Sequence, residues 1–131
     1  MLKLRRVDIE RSQEVLAKLN RYVDKVVALL QPELIMLFGS FASGDVNEGS
    51  DVDLLVVAPF QEPFLDRIKL MLTLNQESIP LEPVGYTAEE FEEMVFRRSP
   101  FIQMVVEAGR ILYKTERGAG ILEKAKQLLS Q

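Results

Sequence analysis

Two short apolar runs, Leu34–Phe38 and Val52–Val57, constrain this chain more than any other feature. Leu34–Phe38 is too short for a helix and lies between Pro32 and Gly39, so it reads as a buried strand. Val52–Val57 reads as a second strand, alternating with Asp51 and Asp53 in its first half and fully apolar in its second. Only a small-residue, polar loop, residues 39–50, separates them. Whatever chemistry the loop carries is therefore fixed against two strand ends.

The remaining elements follow from periodicity and punctuation. Apolar residues at Val15, Leu16, Leu19, Val23, Val26 and Leu30 mark one face of a long helix from about Ile9, which Gln31-Pro32 ends. Pro63 suits the first turn of a helix over Phe64–Asn75, with Leu65, Ile68, Leu72 and Leu74 expected to turn inward. Leu81–Tyr86 is a third strand, and Thr87 with Glu90 forms a capping box opening a helix over Ala88–Arg97. Pro100 starts a further helix, which Gly109 closes near Ala108. Arg110–Tyr113 reads as a short strand, and Ile121, Leu122, Ala125, Leu128 and Leu129 mark a final amphipathic helix. The order α-β-β-α-β-α-α-β-α predicts a mixed α/β (α+β) fold, a small sheet flanked by helices, in a single domain over residues 1–131.

Composition narrows the chemistry. The chain has no cysteine and no histidine, which removes thiol nucleophiles, thiolate metal sites, Ser-His-Asp triads and nearly every zinc hydrolase. Carboxylates, Lys/Arg, hydroxyls and hard metal ions are left. No apolar run approaches a membrane span, and the basic, then polar, N-terminus MLKLRRVDIERSQ has no export signal, so a cytoplasmic protein is expected. Residues 26–100 hold 13 acidic and 4 basic groups, net −9, while both terminal segments are basic. That acidic middle offers no track for duplex DNA, and stable duplex binding is not expected.

Asp51 and Asp53, two apart at a strand start, point to one face. Two carboxylates that close repel, and a divalent cation between them removes the conflict. Oxygen-only ligation favours magnesium, manganese or calcium over zinc. An EF-hand is excluded, because counting from Asp45 the sixth and twelfth places hold Ser50 and Val56. A Walker loop is excluded by the lack of Gly-Lys-Ser/Thr. At the other end of the loop, Gly39-Ser40 follows a strand and precedes helix-compatible residues, an arrangement suited to phosphate oxygens. Gly-Ser alone is only a turn and Asp-x-Asp alone is only two surface charges. Together, at the ends of adjacent strands, they suit metal-assisted phosphoryl or nucleotidyl transfer.

Gly39-Ser40, then Ala42-x-Gly44, five residues, and Ser50-Asp51-x-Asp53-Leu54 resembles the nucleotidyltransferase superfamily of DNA polymerase beta type. The short length is similar to its minimal-nucleotidyltransferase (MNT) branch, related to kanamycin nucleotidyltransferase. The motif spans Gly39–Leu54, and the order of elements extends the likeness from about Ile9 to Tyr113. The resemblance implies nucleotide binding by Gly39, Ser40 and Ser50, and two magnesium (or manganese) ions on Asp51 and Asp53. It also implies a third carboxylate on the next strand, acting as base or metal ligand, for which Glu82 is the candidate. Two features depart from the pattern: Glu82 stands where aspartate is more common, and Ser43 where relatives commonly carry arginine. The neighbouring Pro83 also places that strand toward a sheet edge.

The implied reaction transfers a nucleoside monophosphate, AMP from ATP, to an acceptor hydroxyl and releases pyrophosphate. Relatives of this size are often antitoxins of a helical HEPN toxin, some of them modifying that partner, and this is the leading expectation. A homodimeric, aminoglycoside-like small-molecule transferase and a non-catalytic antitoxin or binding protein are the alternatives. The apolar residues of Phe96–Val106 and of the C-terminal helix exceed what a small sheet needs, so association through one of these faces, as a homodimer or with a helical partner, is expected.

Overall fold

The computed structural model describes residues 6–43 and 51–131, with side chains of the first helix described from Gln13 onward. The elements run α1 (Arg6–Leu30), β1 (Leu34–Phe38), α2 (Ser40–Ser43), β2 (Val52–Val57), α3 (Phe64–Thr73), β3 (Leu81–Tyr86), α4 (Ala88–Phe96), α5 (Pro100–Ala108), β4 (Arg110–Lys114) and α6 (Glu116–Leu129). The four strands form one mixed sheet in the order β3-β2-β1-β4. β1 lies antiparallel to β2 and β4, while β2 and β3 are parallel. A parallel pair needs a crossover, and α3 supplies it. The mixed α/β fold expected from sequence is the one observed. Strand bounds match for β1, β2 and β3, and the element not foreseen as such is the single turn α2.

Both faces of the sheet are covered, which is why β1 and β2 read as near-continuous apolar runs. One face turns Ile35, Leu37, Leu54, Val56 and Leu81 toward Leu19, Tyr22, Val23 and Val26 of α1 and Met71 of α3. The other turns Leu34, Met36, Leu55 and Val57 toward Phe91 and Val95 of α4, Ile102 and Val105 of α5, and Ile121 and Leu122 of α6. The Tyr22 hydroxyl donates to the Met71 carbonyl at 2.8 Å, tying α1 to α3; burial pushes its pKa up. The expected capping box is present: Glu90 N–H donates to Thr87 Oγ1, and Thr87 N–H donates to Glu90 Oε1.

One expectation about a face is corrected. On α3, Leu65 is 69% and Leu72 44% exposed, although both were expected to turn inward; Arg67 and Met71 hold the inward positions instead. Arg67 is tolerated there because Nε and Nη1 are hydrogen-bonded. Nε donates to the Glu62 carbonyl at 2.6 Å, and Nη1 donates to the Gly85 carbonyl at 3.2 Å and to Glu90 Oε1 at 2.6 Å. Its guanidinium lies 5.3 Å from the Phe60 ring centroid. On the faces expected to associate, Ile102, Val105, Val106, Ile121 and Leu122 are buried, while Met104 is exposed. Phe96 remains outward at 78% exposure, beside a groove between α4 and α6.

Candidate active site

The site is built where three strands meet the turn after β1. Register alone assembles its centre. Phe38 of β1 opposes Asp53 of β2, and Asp53 opposes Glu82 of β3, so the three form one row across the sheet. Asp51 stands directly before β2 and is exposed. β3 lies at the sheet edge, the place where Pro83 is tolerated.

Gly39 begins the turn with φ +72°, a left-handed conformation that favours glycine. Its carbonyl accepts from the N–H groups of Ala42 and Ser43, both at 3.1 Å, which winds α2 tightly after β1. Ser40 is the first residue of α2, and Ser43 Oγ donates back to the Ser40 carbonyl at 3.2 Å. A Cβ added at Gly39 would collide with Asp53 Oδ2. The turn and the carboxylate are thus in direct contact, with no room between them for a side chain. The expected loop residues 44–50, including Ser50, lie outside the described residues.

The electrostatics match the crowding. Asp53 is held above its ordinary carboxylate range, first by burial and further by the charge of Asp51, against the lowering effect of its hydrogen bond with Glu82. Glu82 is raised as well, first by its hydrogen bond with Asp53 and then by the charges of Asp51 and Asp53. Physically, each of these carboxylates holds its proton more tightly because the others stand beside it. This is a site that holds excess negative charge and relieves it by binding a proton or a cation.

A divalent ion fits the donor set, which is oxygen only. Among the described residues, no three His, Cys, Asp or Glu side chains close into a complete metal cage. Magnesium is commonly held by one or two carboxylates together with the substrate's own phosphates. Beside the row lies a cleft of about 390 Å³, lined by Asp53 and Glu82 and walled by apolar side chains including Phe38, Ile68, Leu72 and Val84. Phe38 is steadied from behind by Phe101 of α5, edge-on at 5.3 Å between ring centroids. These walls were not identified as site residues from sequence. Ile68 and Leu72 carried a helical-spacing signal, but it pointed to the core.

Comparison with known proteins gives a consistent result. Residues 17–118 match the family described as Polymerase beta, Nucleotidyltransferase. A protein of Methanocaldococcus jannaschii, provisionally named protein adenylyltransferase MJ0604, is 32% identical over 79 residues, covering 60% of this chain and 76% of that one. Among solved structures, a provisionally assigned nucleotidyltransferase from Sulfolobus solfataricus superposes with a TM-score of 0.64 at 21% identity, over 90% of this chain and 96% of that one. A toxin–antitoxin with AMP-PNP superposes with a TM-score of 0.60 at 22% identity, over 85% and 86% of the two chains. No described helix is long and apolar enough to cross a membrane. With the family match spanning the whole sheet and the Gly39 turn set against Asp53, the chain belongs to the polymerase beta nucleotidyltransferase family and is a nucleotidyltransferase.

Proposed function

We propose that this nucleotidyltransferase transfers AMP from ATP to a hydroxyl of a partner protein, as the antitoxin of a toxin–antitoxin pair whose toxin is a helical HEPN protein. The observation that carries the reading is the row of Asp53 and Glu82 set against the Gly39 turn. The name of the Methanocaldococcus relative supports a protein acceptor and an adenylyl donor, and the toxin–antitoxin neighbours share the fold. Gly39 and Ser40 hold phosphate oxygens of the nucleotide, and Ser50, outside the described residues, is the third nucleotide-binding candidate. Asp51 and Asp53 would hold magnesium or manganese, with Glu82 as an additional ligand or base. The metal, when bound, neutralises the phosphates and makes the acceptor hydroxyl more acidic.

The chain's own residues perform the rest. Asp53, pressed against the turn, fixes the distance between the phosphate site and the reacting centre. Glu82, one strand further out, accepts the proton of the acceptor hydroxyl as its oxygen bonds to the α-phosphorus. The bond from the α-phosphorus to the bridging oxygen breaks, and pyrophosphate leaves with that electron pair. The products are an adenylylated acceptor, pyrophosphate and one proton.

The test is incubation with the helical protein encoded beside this chain's gene, using ATP labelled at either the α- or the γ-phosphate. Label from the α-position should appear on the partner in the presence of magnesium, with none from the γ-position. Transfer of γ-label would make the protein a kinase, and metal-independent neutralisation of the partner without any label would make it a non-catalytic binder. Labelling of an amino-sugar in place of the protein would favour the small-molecule alternative.

A further inference from the structure

α3 leaves Leu65 and Leu72 in solvent, and with half-buried Ile68 between them they fall at i, i+3 and i+7, on one face of the helix. The stripe does not lead away from the site. Ile68 and Leu72 form a wall of the same cleft that Asp53 and Glu82 line. Leu72 is exposed on the rim of the cleft, and Leu65 continues the same stripe about one to two turns beyond its lining, so the apolar surface that begins at the reactive cleft runs outward along α3.

The layout of the sheet says which reactant that surface meets. Across the molecule the order is the phosphate turn after β1, Asp53 on β2, Glu82 on β3, and then α3 beside β3. In an in-line displacement the leaving group and the nucleophile occupy opposite sides of the reacting phosphorus. With the phosphates held at the β1 turn, the nucleophile approaches from the side of β3 and α3. We propose that the Leu65–Ile68–Leu72 stripe of α3 is the acceptor-recognition surface, gripping apolar side chains that flank the acceptor hydroxyl in a segment of protein chain. The inference rests on the nucleotidyl-transfer reading above and adds the residues that select the acceptor. A polyhydroxylated, cationic sugar gains nothing from three aliphatic side chains, whereas a peptide with apolar neighbours buries them.

The test compares the wild type with Leu65→Gln/Leu72→Gln, both positions being exposed enough to leave the core intact. The acceptors are helix-forming peptides carrying one tyrosine or one serine, flanked by leucines at three and four residues' distance or by glutamines in their place, and kanamycin. ATP affinity is measured alongside by calorimetry with magnesium. The expected result is a KM about tenfold lower for leucine-flanked peptides than for glutamine-flanked ones in the wild type. In the variant that preference should collapse through a rise in KM, with kcat and ATP affinity kept. Wild type and variant with the same preference, ATP binding with no peptide labelled, or labelling of kanamycin alone would each overturn the proposal. Failure of the wild type to bind ATP would overturn the nucleotidyl-transfer reading itself, and the two failures are separated by the calorimetric arm.

Discussion

A single methyl group at Gly39 is expected to damage function more than stability. Gly39→Ala puts a Cβ onto a left-handed backbone, at about 1–2 kcal/mol, and drives it into the Asp53 carboxylate. The variant should stay folded by circular dichroism while losing most of its transfer activity, because either Asp53 or the turn must move. Full activity in a folded Gly39→Ala protein would disconnect the turn from the site. The carboxylate row makes a second prediction, through pH. Asp53 and Glu82 are raised above ordinary values of 3.8 and 4.5, so the folded state binds protons there more readily than the unfolded chain. Stability from this source is fully present below those values and is lost as pH rises through the raised range. Without metal, the wild-type Tm should therefore fall relative to Glu82→Gln as pH climbs from about 4 toward neutrality, and magnesium should restore it. Parallel curves for the two proteins would show that folding does not raise the carboxylates of this row. At this scale the sequence was legible for Asp51, Asp53, Gly39 and Ser40, since the loop motif names them. Glu82 could only be nominated, because its partnership with Asp53 is a matter of strand register, which no local pattern states.

Among the elements, α3 is where reading and structure part. The pattern of Leu65, Ile68 and Leu72 is a proper helical stripe, and hydrophobicity alone assigns it to the core. The structure gives the inward position to Arg67, whose cation is satisfied by two carbonyls, Glu90 and the Phe60 ring. A buried arginine with long-range partners leaves no periodic trace, so the rotation of the helix was not readable. It can be tested: Arg67→Ala should cost about 3 kcal/mol in urea unfolding, leaving buried carbonyls unpaired. Glu90 is pulled upward by burial but pushed further down by its hydrogen bonds from Arg67 and Thr87, so it is charged at neutral pH. Its side chain is 46% exposed, which screens the pair, and Glu90→Gln should cost no more than about 1 kcal/mol. A larger loss in Glu90→Gln than in Arg67→Ala would reverse this account of the α3 contact. Gly109 was identified as the α5 cap and it is one, yet its φ of −74° is ordinary. Glycine is required there because a Cβ would strike the Val105 carbonyl, a close approach invisible in sequence.

For the whole molecule, strand bounds and fold class were legible because both sheet faces are covered, so β1 and β2 announce themselves as apolar runs. On the faces expected to associate, α5 and α6 cover the second sheet face with Ile102, Val105, Ile121 and Leu122, while Phe96 and Met104 stay exposed. In the proposed reading the order of the sheet organises function, running from the Gly39 turn through the carboxylates to the exposed stripe of α3. The central claim is that this carboxylate row serves a metal-bound nucleotide. Calorimetric titration of ATP, with and without magnesium, into the wild type, Asp51→Asn/Asp53→Asn and Glu82→Gln tests it most directly. Magnesium-dependent binding in the wild type, its loss in the double variant and its retention in Glu82→Gln are predicted. Equal affinity in the wild type and the double variant would contradict the account.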